Sequence, residues 1–339
     1  MARPGFQPGD SFACATISST SYCLTAKPSP HNRHQPSLGG IIDFSLEQPL
    51  GADERVSARR RFYPIVNHFE GKEKNNSSSG SGGSNPYNRL ALVRLTYEYA
   101  AFFRSMALSI TGETSLHSFA DYLLDNFFLP LKASTKRNPQ PPPAERFAGR
   151  PERLSSLRAT CLIRDRHLCV ISRRFGQQDA LKRMKEDRKG AKDDDGNLLV
   201  SQPRFGKLEV AHILPRSLTR IGSGSELSAS KQAAIAILNM LDGGVGHLIQ
   251  GTDIDQPRNA LTLTADLHEL FCDFPIYFNS TEQAHTYEIN SFVAPSVFQD
   301  NLPVARALYL TPTRTIDPPS PRFLAIHRAI AHILHLSAG

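Results

Sequence analysis

The chain contains no run of about 18 apolar residues, the length a helix needs to cross a bilayer, so no membrane span is expected. Cysteine is scarce: five in 339 residues, at positions 14, 23, 161, 169 and 272. Their number is odd, their spacing is irregular, and nothing ahead of them reads as a signal peptide. That excludes a disulfide framework and points to an intracellular, reducing compartment, cytoplasmic or nuclear. No Cys-x-x-Cys pair is present either. Cys169 has Ser172 where a second thiol would stand, so a structural zinc ribbon is not supported. The first forty residues are poor in acid, yet Pro4, Pro8, Pro28 and Pro30 interrupt any amphipathic targeting helix. No internal repeat stands out.

What is present is a globular balance, 40% apolar and 21% charged, in a length that fits one large or two modest domains. The net charge is +7 and the pI about 9.2, which favours polyanionic partners through long-range attraction. Residues 1–86 show little periodicity and end in a Ser/Gly run over 76–84, a flexible linker by composition. Two short apolar runs inside this leader, 40–45 and 61–66, read equally as strands or as docking segments.

From 87 to 131 the spacing of Leu90, Val93, Leu95 and Tyr97, then Phe119, Leu123, Phe127 and Phe128, predicts a helical hairpin with an aromatic core stripe. A Pro-rich connector follows over 132–152. The rest, 153–339, reads as one α+β domain. It contains a short helix or turn at 158–167, a short strand at 168–171 and a charged insertion at 177–197, helical in its first half. A strand at 208–214 and a helix at 227–241 follow. Then come a return segment from Asn259, a helix at 265–272, a hairpin over 274–278 and 286–292, and an amphipathic helix at 321–337.

Chemistry concentrates in three places. Residues 207–215 read KLEVAHILP, an apolar run carrying His212 and stopped by Pro215. Residues 258–263 read RNALTL, opening with Arg258 and Asn259. Residues 264–271 read TADLHELF and carry His268. The order His, Asn, His fits a metal-dependent phosphodiesterase: a base on a strand, an amide that orients it, and a metal ligand on the following helix. Hydrolysis of a phosphodiester needs an activated water, a cation to neutralise charge on phosphorus, and help for the leaving oxygen. An imidazole titrating near neutrality is the best-matched base for that water. An amide at a strand–loop junction can tie two backbone segments together or accept from an imidazole N–H. His268 shares a helix face with Cys272, and Asp273 comes next. A His–Cys pair suits zinc, whereas His–Asp suits magnesium or manganese.

These segments resemble the HNH endonucleases, in particular the HNH-domain proteins of fungi, whose pattern runs AHI-P-S, N-x-L-x-L, H-x-L-F. The resemblance covers roughly 153–339 and is best at 207–215 and 258–274. It implies a ββα-metal core interrupted by the 227–241 helix, followed by the hairpin and the C-terminal helix, and preceded by the helical hairpin. It implies a nuclease in which His212 is the general base, Asn259 fixes the loop, and His268 with Asp273 or Cys272 holds a divalent metal. Magnesium or manganese is favoured, with zinc as the other choice. Nucleic acid, DNA by preference, is the implied partner. Arg216, Arg220 and Arg258 are candidate phosphate contacts near the cleft, with Arg164, Arg166, Arg173 and Arg174 upstream.

Two positions depart from the pattern. Many relatives carry Asp or His where Ala211 stands, and His or Asp where Cys272 stands. They leave open a catalytically silent module that binds nucleic acid or a protein.

The leader's composition generates a first prediction. The Ser/Gly run cannot bury enough surface to offset its ordering entropy, and none of the three site residues lies before it. A chain starting at residue 86 is expected to unfold cooperatively and to keep its activity. Loss of cleavage by a folded, truncated protein would place the leader inside the domain.

Overall fold

The structure, a computed structural model, describes residues 64, 88–99, 113–135, 150–218, 229–294, 302, 304–313 and 315–338. Apart from residue 64, the leader lies outside them, as do Arg220 and most of the Pro-rich connector. The described residues fall within one unit, Leu38–Gly339.

Helix α1 (Arg89–Tyr99) buries Leu90, Leu92, Val93 and Tyr97. Helix α2 (Glu113–Leu123) runs through a π-helical turn (Leu124–Phe128) into α3 (Leu129–Thr135). The widened turn has a local cause. Pro130 lacks the N–H that a regular α ladder would use. Within that turn the Asn126 side chain donates to the Tyr122 carbonyl at 2.9 Å. Helix α4 (Arg150–Arg164) starts inside the expected connector and is longer than the 158–167 segment read from sequence.

A small lobe follows. Strand β1 (Phe175–Gly176) pairs in parallel with β2 (Phe205–Gly206), and helix α5 (Gln177–Glu186) lies between them in sequence. Leu168, Phe175, Ala180, Ala191 and Leu199 form the lobe's own apolar cluster. The strand expected at 168–171 is instead a tight turn. The Cys169 N–H donates to Arg174 O, Arg173 N–H donates back to Cys169 O, and Arg173 takes the left-handed region at φ 60°. The apolar side chains that suggested a strand are buried by this turn.

The centre of the molecule is an antiparallel pair, β3 (Leu208–His212) and β4 (Ala260–Thr264), in register from Leu208↔Thr264 to His212↔Ala260. Helix α6 (Ala229–Leu241) lies between them in sequence, and α7 (Ala265–Cys272) leaves β4 without a loop. Strands β5 (Ile276–Ser280), β6 (Thr286–Ser291) and β7 (Val304–Ala307) form an antiparallel sheet, so the expected hairpin gains a third strand. Helix α8 (Pro321–Ser337) closes the chain and is tied to the start of α1 by Asn88 N–H to Ser337 O at 2.8 Å. One apolar cluster runs through Leu90, Phe127, Leu238, Leu263, Phe271 and Ile330, so α1 and α2 share a core with the β3–β4 unit. The class is α+β with small sheets.

Arg164, named from sequence among the upstream candidate phosphate contacts, is instead buried with its side chain 0% exposed. Its guanidinium grips Asp165 with two bonds of 2.8 and 2.9 Å and donates to Pro257 O and Ala260 O, while Asp165 accepts from Thr262 N–H. A buried charge persists only when paired in this way. The pair pins the end of α4 to β4 and to the turn before it.

Helix α8 carries a second buried polar group. His327 stacks on Phe271 with centroids 3.9 Å apart, lies 4.8 Å from Phe274, and donates Nε2–H to Phe271 O at 3.0 Å. Burial, only partly opposed by that bond, pushes its pKa down to about 3. The unfolded chain therefore binds a proton that the folded chain refuses. His327's share of stability is complete above the unfolded value and is lost as pH falls toward the folded one. Between pH 7 and pH 5 the loss attributable to this ring is about 2 kcal/mol for an unfolded pKa near 6.5. Urea unfolding at the two pH values should show it in the parent protein and lose it in His327→Leu.

Candidate active site

His212 is the last residue of β3, and the pleat sends it to the face shared with Val210, opposite Glu209 and Ala211. Its Nε2 lies 3.1 Å from Asp255 Oδ1. A carboxylate can only accept, so this nitrogen carries the proton and Nδ1 is the basic atom. Asp255 ends a short 3₁₀ turn (Asp253–Asp255), and its side chain is only 5% exposed. Arg216 grips the same carboxylate through Nε at 2.9 Å and Nη2 at 3.0 Å. Burial works against a charge on Asp255. The His212 hydrogen bond and the charges of Arg216, His212 and Arg153 outweigh it, and hold the carboxyl below the usual carboxylate range.

Asn259 is fully buried. Its Oδ1 accepts from Leu214 N–H at 2.9 Å, and its Nδ2 donates to Leu214 O at 3.0 Å and to Ile254 O at 2.9 Å. Its backbone carbonyl accepts from Ile213 N–H. The amide thus braces the segment just after His212 against the residue just before Asp255. No bond joins its side chain to the His212 ring, so its action on that ring runs through the backbone.

His268 lies on α7, one turn in from the strand. Its Nδ1 is 2.7 Å from Glu209 Oε2, and Lys207 Nζ sits 3.1 Å from the other oxygen. That contact occupies Nδ1 and leaves Nε2 for any other partner. His212, His268, Arg216, Cys272 and Asp273 line one cleft of about 660 Å³, whose wall also includes Val210, Glu269 and Phe274. Phe274 sits in the left-handed region at φ 70°, an uncommon state for a bulky residue, directly after the helix. It turns the chain sharply into β5.

The three expected metal donors share the cleft but do not converge. Among the described residues no group of three or more His, Cys, Asp or Glu side chains is placed to hold a metal ion. Helix geometry gives a reason: Cys272 ends α7 one turn beyond His268, while Asp273 falls roughly 140° round the axis from His268.

The expected arginines also divide. Arg216 lines the cleft. Arg258 bonds Leu248 O at 3.1 Å and faces Asp253 at 3.6 Å. Arg166 and Arg173 stack over the Tyr309 ring, and Arg166 pairs with Asp195. Arg164 belongs to the core.

Asp255 and Glu209 were not singled out by sequence. Glu209 carried a signal: an acid inside an apolar strand, on the face the following helix covers. Asp255 carried none beyond being an acid a few residues before Asn259.

Two comparisons with known proteins give no match: no curated protein and no solved structure matches the chain. A family model described as HNH endonuclease matches residues 169–279. That span holds both His–carboxylate pairs and Asn259. It bears out the resemblance to the HNH endonucleases over that span and supports nuclease activity, and with it nucleic-acid binding, in general terms.

The brace generates a stability prediction. Asn259→Ala removes three side-chain bonds and leaves the Leu214 N–H buried without its acceptor. The expected cost is about 2–3 kcal/mol, read from denaturant midpoints at unchanged m-value. A change below about 0.5 kcal/mol, the scale of neutral surface substitutions, would mean that the loop is held by other contacts.

Proposed function

We propose that the HNH endonuclease segment, residues 169–279, makes this protein a divalent-metal-dependent nuclease that hydrolyses phosphodiester bonds, in DNA by preference, through a ββα-metal core. The single observation that carries this reading is His212, held at Nε2 by Asp255 on a cleft it shares with His268. In the proposed step a water gives its proton to Nδ1 of His212. Its oxygen forms the new bond to phosphorus, the ester P–O bond breaks, and the departing oxygen takes a proton from solvent. Arg216, on the cleft wall, is the proposed contact for a phosphate oxygen. Asn259 keeps the His212 loop in place throughout.

The donor set suits a cation that keeps much of its water. Glu209 on Nδ1 of His268 is the carboxylate–histidine arrangement that commonly orients a metal-binding imidazole, leaving Nε2 as the ligating atom. Asp273 would add a hard oxygen suited to magnesium or manganese, and Cys272 a thiolate suited to zinc. When bound, a divalent cation supplies neutralisation of the charge that builds on the phosphate. The net charge of +7 favours a nucleic-acid partner. No helix among the described residues is long and apolar enough to cross a membrane.

Ala211 and the absence of a three-donor group among the described residues favour a second reading, a silent module that binds nucleic acid or a protein without cutting. A plasmid nicking assay in magnesium, manganese or zinc separates the two. His212→Ala should lower the nicking rate on the order of 10²-fold or more while filter binding of the DNA persists. Asp273→Asn should weaken magnesium-supported nicking if Asp273 assists His268, and Cys272→Ser should shift the zinc or manganese preference if the thiol does. DNA binding without nicking in every metal would establish the silent module. Equal nicking by parent and His212→Ala would remove His212 as the base.

A further inference from the structure

We infer that Asp255 is the positioning residue of the His212 base, a role that rests on the nuclease reading above. Three features of the structure carry it.

The first is chemical direction. Asp255 Oδ1 lies 3.1 Å from Nε2, and an ionised carboxylate has no proton to give. It therefore selects the tautomer with hydrogen on Nε2 and the lone pair on Nδ1. Without a fixed acceptor, an imidazole distributes its proton between both nitrogens and its ring turns about χ2. Once Nδ1 has taken a proton from water, the adjacent carboxylate also stabilises the resulting imidazolium. An acid behind a histidine acts in this way in the serine protease triad, where it neither leaves its place nor becomes protonated.

The second is that Asp255 is itself held. Arg216 reaches its carboxylate with two nitrogens, Arg153 adds positive charge, and the side chain is almost out of solvent. A carboxylate so surrounded stays ionised at neutral pH and cannot rotate away from the ring.

The third is the brace. Asn259 bonds Leu214, just beyond His212 in the chain, and Ile254, immediately before Asp255. One buried side chain thereby sets the separation of the two partners. The three residues form a unit: Asp255 orients the ring, and Asn259 fixes Asp255 relative to the strand that carries the ring.

The competing explanation makes Asp255 an anchor for Arg216 alone, with its contact to His212 incidental. The protonation pattern of the ring distinguishes the two. Nitrogen-15 NMR of the full-length parent protein, with His212 assigned by comparison with His212→Ala, is expected to show a neutral His212 bearing its proton on Nε2. In Asp255→Asn the amide can donate as well as accept, so the population should shift toward the Nδ1–H form. In the nicking assay that variant should keep KM within about threefold and lose on the order of 10²-fold in kcat. The same substitution in a His212→Ala background should cost no further activity, because there is no ring left to position.

A parent ring carrying its proton on Nδ1 would overturn the inference whether or not the variant folds. So would a folded Asp255→Asn with an unchanged tautomer, or with kcat within about threefold of the parent. The two readings fail separately. A parent protein that nicks nothing refutes the nuclease reading, and the NMR result still decides whether Asp255 sets the ring.

Discussion

Asn259 is a primary amide with no access to water, and such a group must find protein partners for its oxygen and its N–H groups or destabilise the fold by the cost of leaving them bare. It finds them on two separate segments. The carbonyl and one N–H complete a two-point contact with the peptide at Leu214, in the manner of a strand neighbour. The remaining bond goes to Ile254. Everything at the head of the cleft follows from that arrangement. The end of β3 cannot drift from the 3₁₀ turn, so His212 and Asp255 keep their contact, and Arg216 has a carboxylate to grip. The Arg164–Asp165 pair does the same one layer behind, joining α4 to the backbone of β4 at Ala260 and Thr262. Two buried polar clamps thus hold a strand pair too short to be rigid alone.

Much of this frame was legible because periodicity survives in the sequence. Leu208, Val210, Ala211, Leu261 and Leu263 announce two short strands, and Leu267, Leu270 and Phe271 announce the helix after them. The apolar face of the 321–337 helix was equally plain, and α8 buries Phe323, Ile326, Ile330 and Ile333. What failed was local patterning under tertiary control. Leu168, Val170 and Ile171 look like a strand because all three are buried, but burial is compatible with a tight turn whose carbonyls are satisfied across it. Arg164 looks like a surface charge because it stands in a basic run. Only the packed structure shows Asp165, the Ala260 carbonyl of β4 and the Pro257 carbonyl of the turn before it closing round it.

At the site the same boundary applies. A histidine ending an apolar strand and another on the next helix can be placed by pattern, and they line a common cleft. Their partners could not be placed. Asp255 meets His212 across 43 residues and Glu209 meets His268 across 59, and no spacing rule reaches that far. Cys272 and Asp273 were nominated by spacing and by the resemblance, which say which side chains leave the helix near one another but not whether they converge on a point.

The two histidines are treated alike by the fold. Each has one ring nitrogen fixed by a carboxylate, and the other nitrogen left to act. The carboxylates come from opposite directions. Glu209 leaves the same strand as His212 but from its other face, and Asp255 arrives from the loop before β4. This bears on Ala211, which cannot ligate anything and whose methyl group is packed into the core. It shares its strand face with Glu209, two positions back, because side chains alternate along a strand. That face therefore carries, two positions before the alanine, an acid bonded to His268. The strand thus places a carboxylate beside His268 from Glu209, whose side chain is 21% exposed, whereas Ala211 on the same face is buried. Glu209 thereby fixes one nitrogen of the His268 ring, and the ring lines the cleft together with Cys272 and Asp273.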